Sequence, residues 1–120
     1  MQIHLPWLNP KLSCNARTHW AMKAKCIKAE RHTAEVFGLS MFTPAQKAIA
    51  QSSERINVRI TFHAPDKRRR DKQNMPASGT IKAYLDGIAD ALGVDDNKFY
   101  PTFDYGDVIK GGRVVIEVLL

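Results

Sequence analysis

The sequence predicts a single α/β (α+β) domain, in which a mixed sheet of about four strands packs against two main helices. Three observations predict this fold. Arg55–His63 alternates between apolar and polar residues, Thr18–Phe37 carries apolar residues at helical spacing, and no repeat, low-complexity tract or linker divides the chain. The 120 residues fit one domain with a modest core, so residues 1–120 are assigned to one unit.

The first part of the chain is predicted to hold a strand and a long helix. Ile3–Trp7 is a short apolar strand, and Asn9–Asn15 is a loop because it is rich in turn-forming residues. Thr18 is the expected N-cap of the helix and Gly38 its expected C-terminal stop. The apolar stripe expected to face the core consists of Met22, Cys26, Ala29, Thr33 and Val36.

The middle of the chain contains one ambiguous segment and one clear strand. Phe42–Ser53 is either a short helix opened by Thr43-Pro44 or a variable loop. Arg55–His63 alternates cleanly, which indicates a strand with one buried face. Its apolar positions are Ile56, Val58, Ile60 and Phe62.

The last part of the chain is predicted to hold a second main helix and two strands. The helix begins between Met75 and Ser78, runs to Leu92 and ends at Gly93. A strand lies within Phe99–Val108, although proline and glycine interrupt it. The glycine pair that follows indicates a hairpin-type turn at residues 110–112, and the final strand is Arg113–Leu120.

Composition points to an anionic partner. The net charge is +6 and the pI about 9.6, which favours nucleic acid or an anionic membrane surface. No apolar run approaches the roughly 20 residues of a membrane helix, and the N-terminus lacks the pattern of a signal peptide. Cys14 and Cys26 fit neither a disulfide framework nor a zinc site, so both are expected to be free thiols in a reducing compartment, the cytoplasm.

The segment Asp66–Asn74 is the strongest functional signal. Its single central carboxylate, Asp71, is surrounded by five cations: Lys67, Arg68, Arg69, Arg70 and Lys72. Cations contact phosphates, and a carboxylate among them can hold a Mg²⁺ ion that polarises the phosphate and activates water. The bland alternative is a solvated charge run or a localisation signal. The position between a strand and a helix favours a site held on rigid elements.

Two further groups of charged residues could carry chemistry. Asp95-Asp96 is either a pair of metal ligands or an ordinary turn. Lys82, Asp86 and Asp90 follow one another at i, i+4 and i+8 on one helix face, so they form an exposed ladder of ion pairs unless Lys82 contacts a phosphate.

The first helix and its approach are rich in cations. They form a phosphate-binding groove wall or, alternatively, an ordinary charged helix face. Trp20 is either a core or interface residue or a stacking partner for a base. The residues concerned are Arg17, His19, Trp20, Lys23, Lys25, Lys28 and Arg31.

Taken together, these motifs resemble the RusA family of phage-type Holliday junction resolvases. The resemblance covers nearly the whole chain except residues 40–53. It is carried by FHAPDKRRRD with the following Asn74, by IKAYLDGIADAL, by the Asp95-Asp96 pair, and by the shorter stretches LPW, LSCNAR and KGGR.

The resemblance implies a homodimeric endonuclease that makes paired nicks across a four-way DNA junction, with Mg²⁺ as cofactor and Mn²⁺ as an alternative. It implies a phage or prophage origin, action in the bacterial cytoplasm, no membrane association and no small-molecule substrate. The residues it assigns to catalysis are Asp71, Asp96 and Lys82, with Asn74 and Asp86 in support. The residues it assigns to DNA contact are Lys67, Arg68, Arg69, Arg70 and Lys72, to which Arg17, Lys23 and Lys28 are added.

One departure from the family bears on activity. The usual Asp-x-Asp-Asn motif is here Asp71-Lys72-Gln73-Asn74, so a neutral amide replaces a carboxylate. Gln73 can still offer an oxygen to a metal, and Asp95 is a candidate compensating ligand. Two alternatives therefore remain: a weak or inactive protein that binds junctions without cutting them, and a general basic binder unrelated to the family.

Overall fold

The computed structural model describes residues 1–120 and confirms the predicted mixed α/β class. Two helices, α1 and α3, pack closely together, and α2 is a shorter third helix. None of the three combines the length and apolar character needed to cross a membrane. The elements are β1 (Gln2–Leu5), α1 (Trp20–Met41), α2 (Pro44–Ser52), β2 (Ile56–His63), α3 (Gly79–Leu92), β3 (Phe99–Tyr105) and β4 (Arg113–Leu119), with short 3-10 turns at Pro10–Leu12 and Asp96–Lys98.

The sheet has the strand order β1-β4-β2-β3. β2 and β3 are parallel and joined through α3, whereas β4 is antiparallel to both β1 and β2. Ile56 pairs with Phe99, so β2 and β3 begin at the same end of the sheet. The loop that follows β2 therefore leaves the sheet at one end, and the turn that precedes β3 enters it at the other.

The prediction of a hairpin at residues 110–112 is wrong. Gly111 and Gly112 do form a turn, with φ of 84° and 74°. However, β3 and β4 do not pair, because β4 lies between β1 and β2. The glycine pair predicts that the chain turns there, but it does not predict which strands β4 pairs with. β4 pairs with β1 and β2 instead of β3.

The inner face of β2 forms the centre of the core. Ile56, Val58, Ile60 and Phe62 are all buried, which confirms the predicted alternation. They pack with buried α3 side chains. Pro101 lies within β3 without ending it, because β3 is an edge strand and a missing N–H is tolerated there. The first strand is shorter than predicted and stops at Leu5, before a proline.

The predicted bounds of α1 need correction at both ends. The helix begins at Trp20, and the His19 ring caps it by accepting the N–H of Ala21 at 3.3 Å. Gly38 is inside the helix rather than at its end. A Cβ there would lie 2.7 Å from the Ala91 Cβ, so this glycine serves the close approach of α1 to α3.

The predicted core-facing stripe of α1 is also wrong, except at Cys26. Met22 and Val36 are 41% and 49% exposed, whereas Ala34 and Gly38 are buried. α1 packs mainly on α3, and that contact selects small residues that let two helix backbones approach. Residue size therefore determined the buried face, and apolar periodicity misidentified it.

Two helix predictions are confirmed. The ambiguous segment before β2 is helix α2, which has Pro44 in its first turn and a capping box in which Thr43 and Gln46 bond reciprocally. α3 begins after Ser78, whose hydroxyl accepts the Thr80 N–H, and ends at Gly93 with φ of 72°. Both cysteines are free, as predicted.

Candidate nucleic-acid and metal site

Lys82 links two carboxylates near the start of α3. Its Nζ donates to Asp86 Oδ1 at 2.8 Å and also to the carboxylate of Asp96. Asp86 lies one turn along the helix, and the reversal after α3 brings Asp96 back to the same helix face. The expected ladder stops there, because Asp90 pairs with Arg31 of α1 instead, at 2.6 and 2.8 Å.

These hydrogen bonds change the pKa of Lys82 and that of Asp96. Hydrogen bonds to Asp86 and Asp96 raise the pKa of Lys82. The hydrogen bond from Lys82 is the main cause that lowers the pKa of Asp96. Lys82 and Asp96 are therefore both charged at neutral pH. The Lys82 ammonium is held beside the carboxylates of Asp86 and Asp96.

The carboxylates line a cavity of about 220 Å³ whose residues are Arg31, Asp86, Ala89, Asp90, Val94, Asp95 and Asp96. Carboxylate oxygens are the hard ligands that Mg²⁺ prefers, and the ammonium of Lys82 already occupies a cation position against two of them. Such oxygens are of the chemical type that binds a divalent cation. No three acidic, histidine or cysteine side chains converge on one point, so water and substrate oxygens would complete the coordination shell.

Asp71 lies elsewhere. It lines a different cavity, of about 230 Å³, together with Trp7, Leu8, Asn9, Pro10, Ser13, Arg70, Asn74, Met75 and Ser78. The topology explains the separation: Asp71 follows the end of β2, whereas Asp96 precedes the start of the parallel strand β3. The structure thus joins Lys82, Asp86 and Asp96 but does not bring Asp71 into their cavity. Asp71 Oδ1 accepts the backbone N–H of Gln73 at 2.9 Å, and the Gln73 side chain is exposed.

The basic loop is organised by one of its own arginines. Arg70 is only 18% exposed, and its guanidinium donates to Asp66 Oδ1 at 2.8 Å and to the carbonyl oxygens of Asp66 and Arg68. The backbone N–H of Arg68, followed by Arg70, lowers the pKa of Asp66. Arg70 therefore shapes the loop, and the side chains left to meet a phosphate are Lys67, Arg68, Arg69 and Lys72, all exposed.

A third cavity adjoins this loop, and no pattern in the sequence points to one of its residues, Tyr105. Tyr105 ends β3 and donates its hydroxyl to the Lys72 carbonyl oxygen at 2.7 Å. The Lys72 ammonium lies 5.2 Å from the ring centroid. Burial, with a smaller contribution from Asp71, raises the pKa of Tyr105. Only the parallel pairing of β2 with β3 places this tyrosine beside the basic loop.

Lys23 and Lys28, two of the cations predicted to contact DNA, lie on different sides of α1. Arg17, Lys23 and Lys28 are all exposed. Five positions at about 100° per residue place Lys23 and Lys28 about 140° apart around the axis of α1. Lys28 shares its side of α1 with Lys25, which lies about 60° away around the axis.

Comparison with known proteins gives one close relationship. No protein-family model matches the sequence. An uncharacterized protein from Xylella fastidiosa (strain Temecula1) is 38% identical over 125 residues, an alignment that spans 97% of this chain and 74% of that protein. Identity of this degree over nearly the entire chain indicates common descent and a shared fold. The chain therefore belongs to the same protein family as this Xylella fastidiosa protein.

Proposed function

We propose that this protein is a divalent-cation-dependent endonuclease that cuts four-way DNA junctions by paired nicks, as its resemblance to the RusA family implies. The observation that carries the proposal is the contact between Lys82 and Asp96, which are 14 residues apart. The resemblance assigns these two residues to one reaction from separate motifs, and their side chains meet at a cavity lined by carboxylates.

In this proposal Asp96 and Asp95 hold the Mg²⁺ or Mn²⁺ ion beside Lys82. Asp71 lies in a different cavity, so Asp71 and Gln73 supply oxygen ligands only after the basic loop moves towards the ion on DNA binding. The bound ion polarises the scissile phosphate and activates water. Asp86 keeps the ammonium of Lys82 beside the reacting phosphate, where it offsets developing negative charge. The exposed cations of the loop hold the flanking phosphates.

We further propose that two copies associate and act in the bacterial cytoplasm. Paired nicks need two equivalent sites, which a two-fold dimer provides. Large apolar side chains stand exposed on one side of α1, and they include Met22, Val36 and Phe37, at 41%, 49% and 42%. A second copy covering this stripe would remove that apolar surface from water. Light scattering of the wild type and of Val36→Glu tests the proposal, since a dimer through this face becomes a monomer in the variant.

A second candidate function is junction binding without cleavage. Two observations favour it: Gln73 brings no charge to the metal, and Asp71 lines a different cavity from Asp96. In that case the basic loop would still hold branched DNA, and the carboxylates beside Lys82 would have only a structural role.

One experiment separates the two candidates. A synthetic four-way junction is incubated with the protein and Mg²⁺ or Mn²⁺, and the products are resolved as nicked duplexes. Symmetric nicks that disappear in Asp96→Asn support the nuclease, provided that the variant still binds the junction. Binding without nicks would support the second candidate. Equal affinity for linear duplex at the same salt concentration would contradict specificity for junctions.

A further inference from the structure

Two neighbouring cavities of different chemistry lie at the end of the sheet where β2 ends. One is the cavity of about 230 Å³ beside Asp71, here called the Trp7 cavity. The other, of about 210 Å³, is the cation cavity formed by the basic loop and Tyr105. Arg70 and Met75 line both, so the two cavities share a wall.

The cation cavity suits a phosphate. Lys67, Arg68 and Lys72 line it and are exposed, so they can turn towards an anion. The Trp7 cavity differs, because Arg70 is its one cationic side chain and is already bonded to Asp66. Its walls combine an aromatic ring with amide, hydroxyl and carboxylate groups, which suits a flat, uncharged ligand with hydrogen-bonding edges.

We propose that the Trp7 cavity binds one nucleobase, unstacked from the DNA strand whose phosphate lies in the cation cavity. The inference rests on the DNA binding proposed above. Sites for drug-sized ligands occupy roughly 300–1,000 Å³. A cavity of about 230 Å³ is smaller and has room for a base rather than for a whole nucleotide. The sugar connects the base in one cavity to the phosphate in the other, past the residues that both cavities share.

Trp7 is held in a fixed position to contact such a base. Its ring makes an edge contact with Phe62, with centroids 6.3 Å apart and planes at 86°. On another side it lies so close to Gly112 that a Cβ there would be 2.7 Å from the indole. A half-buried aromatic ring packed on two sides is a suitable surface for stacking, which tolerates any base.

Asn74 supplies the hydrogen-bonding groups. Its backbone N–H donates to the Asp71 carbonyl oxygen at 3.1 Å, which fixes the residue at the cavity wall. Its side-chain amide offers both a donor and an acceptor, as the edges of the bases require. Asp71 also lines the cavity, but its Oδ1 already accepts the Gln73 N–H, so base binding depends mainly on Trp7 and Asn74.

The test is a scan of abasic sites. Junctions that each lack one base near the crossover are compared with the intact junction in binding assays with EDTA, so that cleavage plays no part. We expect one position at which loss of the base weakens wild-type binding by about tenfold, the order expected for one stacked base. Trp7→Leu and Asn74→Ala should bind the intact junction more weakly and lose little more at that position.

A control variant and a second cavity variant make the result of the abasic-site scan unambiguous. Tyr100→Leu removes an aromatic side chain that is 46% exposed and lies at the other end of the sheet, opposite Asn57, so it should behave as the wild type in the scan. Asn74→Ala alone decides the question if Trp7→Leu fails to fold. Tight junction binding that tolerates every abasic position would overturn the base-binding inference and leave the DNA proposal intact. Absence of junction binding by the wild type would overturn both.

Discussion

The ammonium of Lys82 donates a hydrogen bond to Asp96 across the turn that joins α3 to β3. Asp86 accepts a second hydrogen bond from the same nitrogen. The protein therefore already provides a cation for the carboxylate that is proposed to bind a metal. A divalent ion that binds Asp96 competes with Lys82 for the carboxylate, and Lys82 can stay bonded to Asp86.

Replacement of Lys82 by methionine should strengthen divalent-cation binding while abolishing cleavage. The variant removes both the competitor and an adjacent positive charge, and an effect of about tenfold is expected at a partly exposed site. Binding of Mn²⁺ is measured by electron paramagnetic resonance, without DNA. The control is Lys98→Met, because Lys98 is two residues from Asp96 but donates to the Gln51 carbonyl oxygen instead. Equal effects of the two variants would show a general charge effect rather than competition.

Replacement of Gln73 by aspartate should increase the rate of junction cleavage at limiting Mg²⁺. The added carboxylate supplies charge that an amide lacks, and we expect an increase of about tenfold. The rate is measured over a range of Mg²⁺ concentrations. Because Gln73 is exposed, the variant should fold as the wild type does. An unchanged dependence on Mg²⁺ would mean that the loop does not reach the metal when DNA is bound.

Arg69 and Arg70 should differ in their effects on DNA binding. Arg69 is exposed, so Arg69→Ala should reduce the slope of log affinity against log salt by about 1, as expected for one lost phosphate contact. Arg70→Lys keeps the charge but loses the bonds to Asp66 that shape the loop. It should weaken binding with nearly the same slope. Titrations at four salt concentrations distinguish the two, and identical slope changes would contradict the division of roles.

Features that depend on residues close together in the sequence were predictable, and features that depend on distant residues were not. β2 and the ends of α3 were predicted correctly, because alternation and capping depend on nearby residues. The buried face of α1 was not, because it depends on contact between Gly87 and the backbone of Arg31, which are far apart in sequence. The resemblance groups Lys82 with Asp96, and their side chains are in contact. The separation of Asp71 from them follows from the parallel pairing of β2 with β3, and no local pattern encodes that pairing.

Replacement of Gly87 by alanine should destabilise the protein by about 2 kcal/mol, the usual range for overpacking. An added Cβ would lie 2.2 Å from the Arg31 carbonyl oxygen and 2.8 Å from the Ala34 Cβ, so α1 would have to move. Unfolding in urea gives the free energy. The control is Gly79→Ala, whose nearest contact would be 3.3 Å, and it should cost much less. Equal losses for the two variants would contradict the close packing of α1 on α3.

Replacement of Asp90 by asparagine should reduce the free energy of unfolding at pH 7 by about 1 kcal/mol. The value is modest because the side chains of Arg31 and Asp90 are 49% and 32% exposed, so solvent screens the ion pair. The hydrogen bonds from Arg31 lower the pKa of Asp90 in the folded state. A depressed carboxyl pKa contributes stability that is present above the unfolded pKa, near 4, and is lost as the pH falls through the folded value. The difference between wild type and variant should therefore be constant from about pH 5 to pH 8 and shrink below about pH 4.

Urea unfolding at a series of pH values measures this dependence. Asp104→Asn is the matched control, because Asp104 is 62% exposed and lies 3.7 Å from Arg59, a geometry that contributes little. Its stability should follow that of the wild type at each pH. A difference for Asp90→Asn that persists unchanged below pH 4 would mean that the ion pair with Arg31 is not its cause, and that the carboxylate stabilises the contact between α1 and α3 through packing alone.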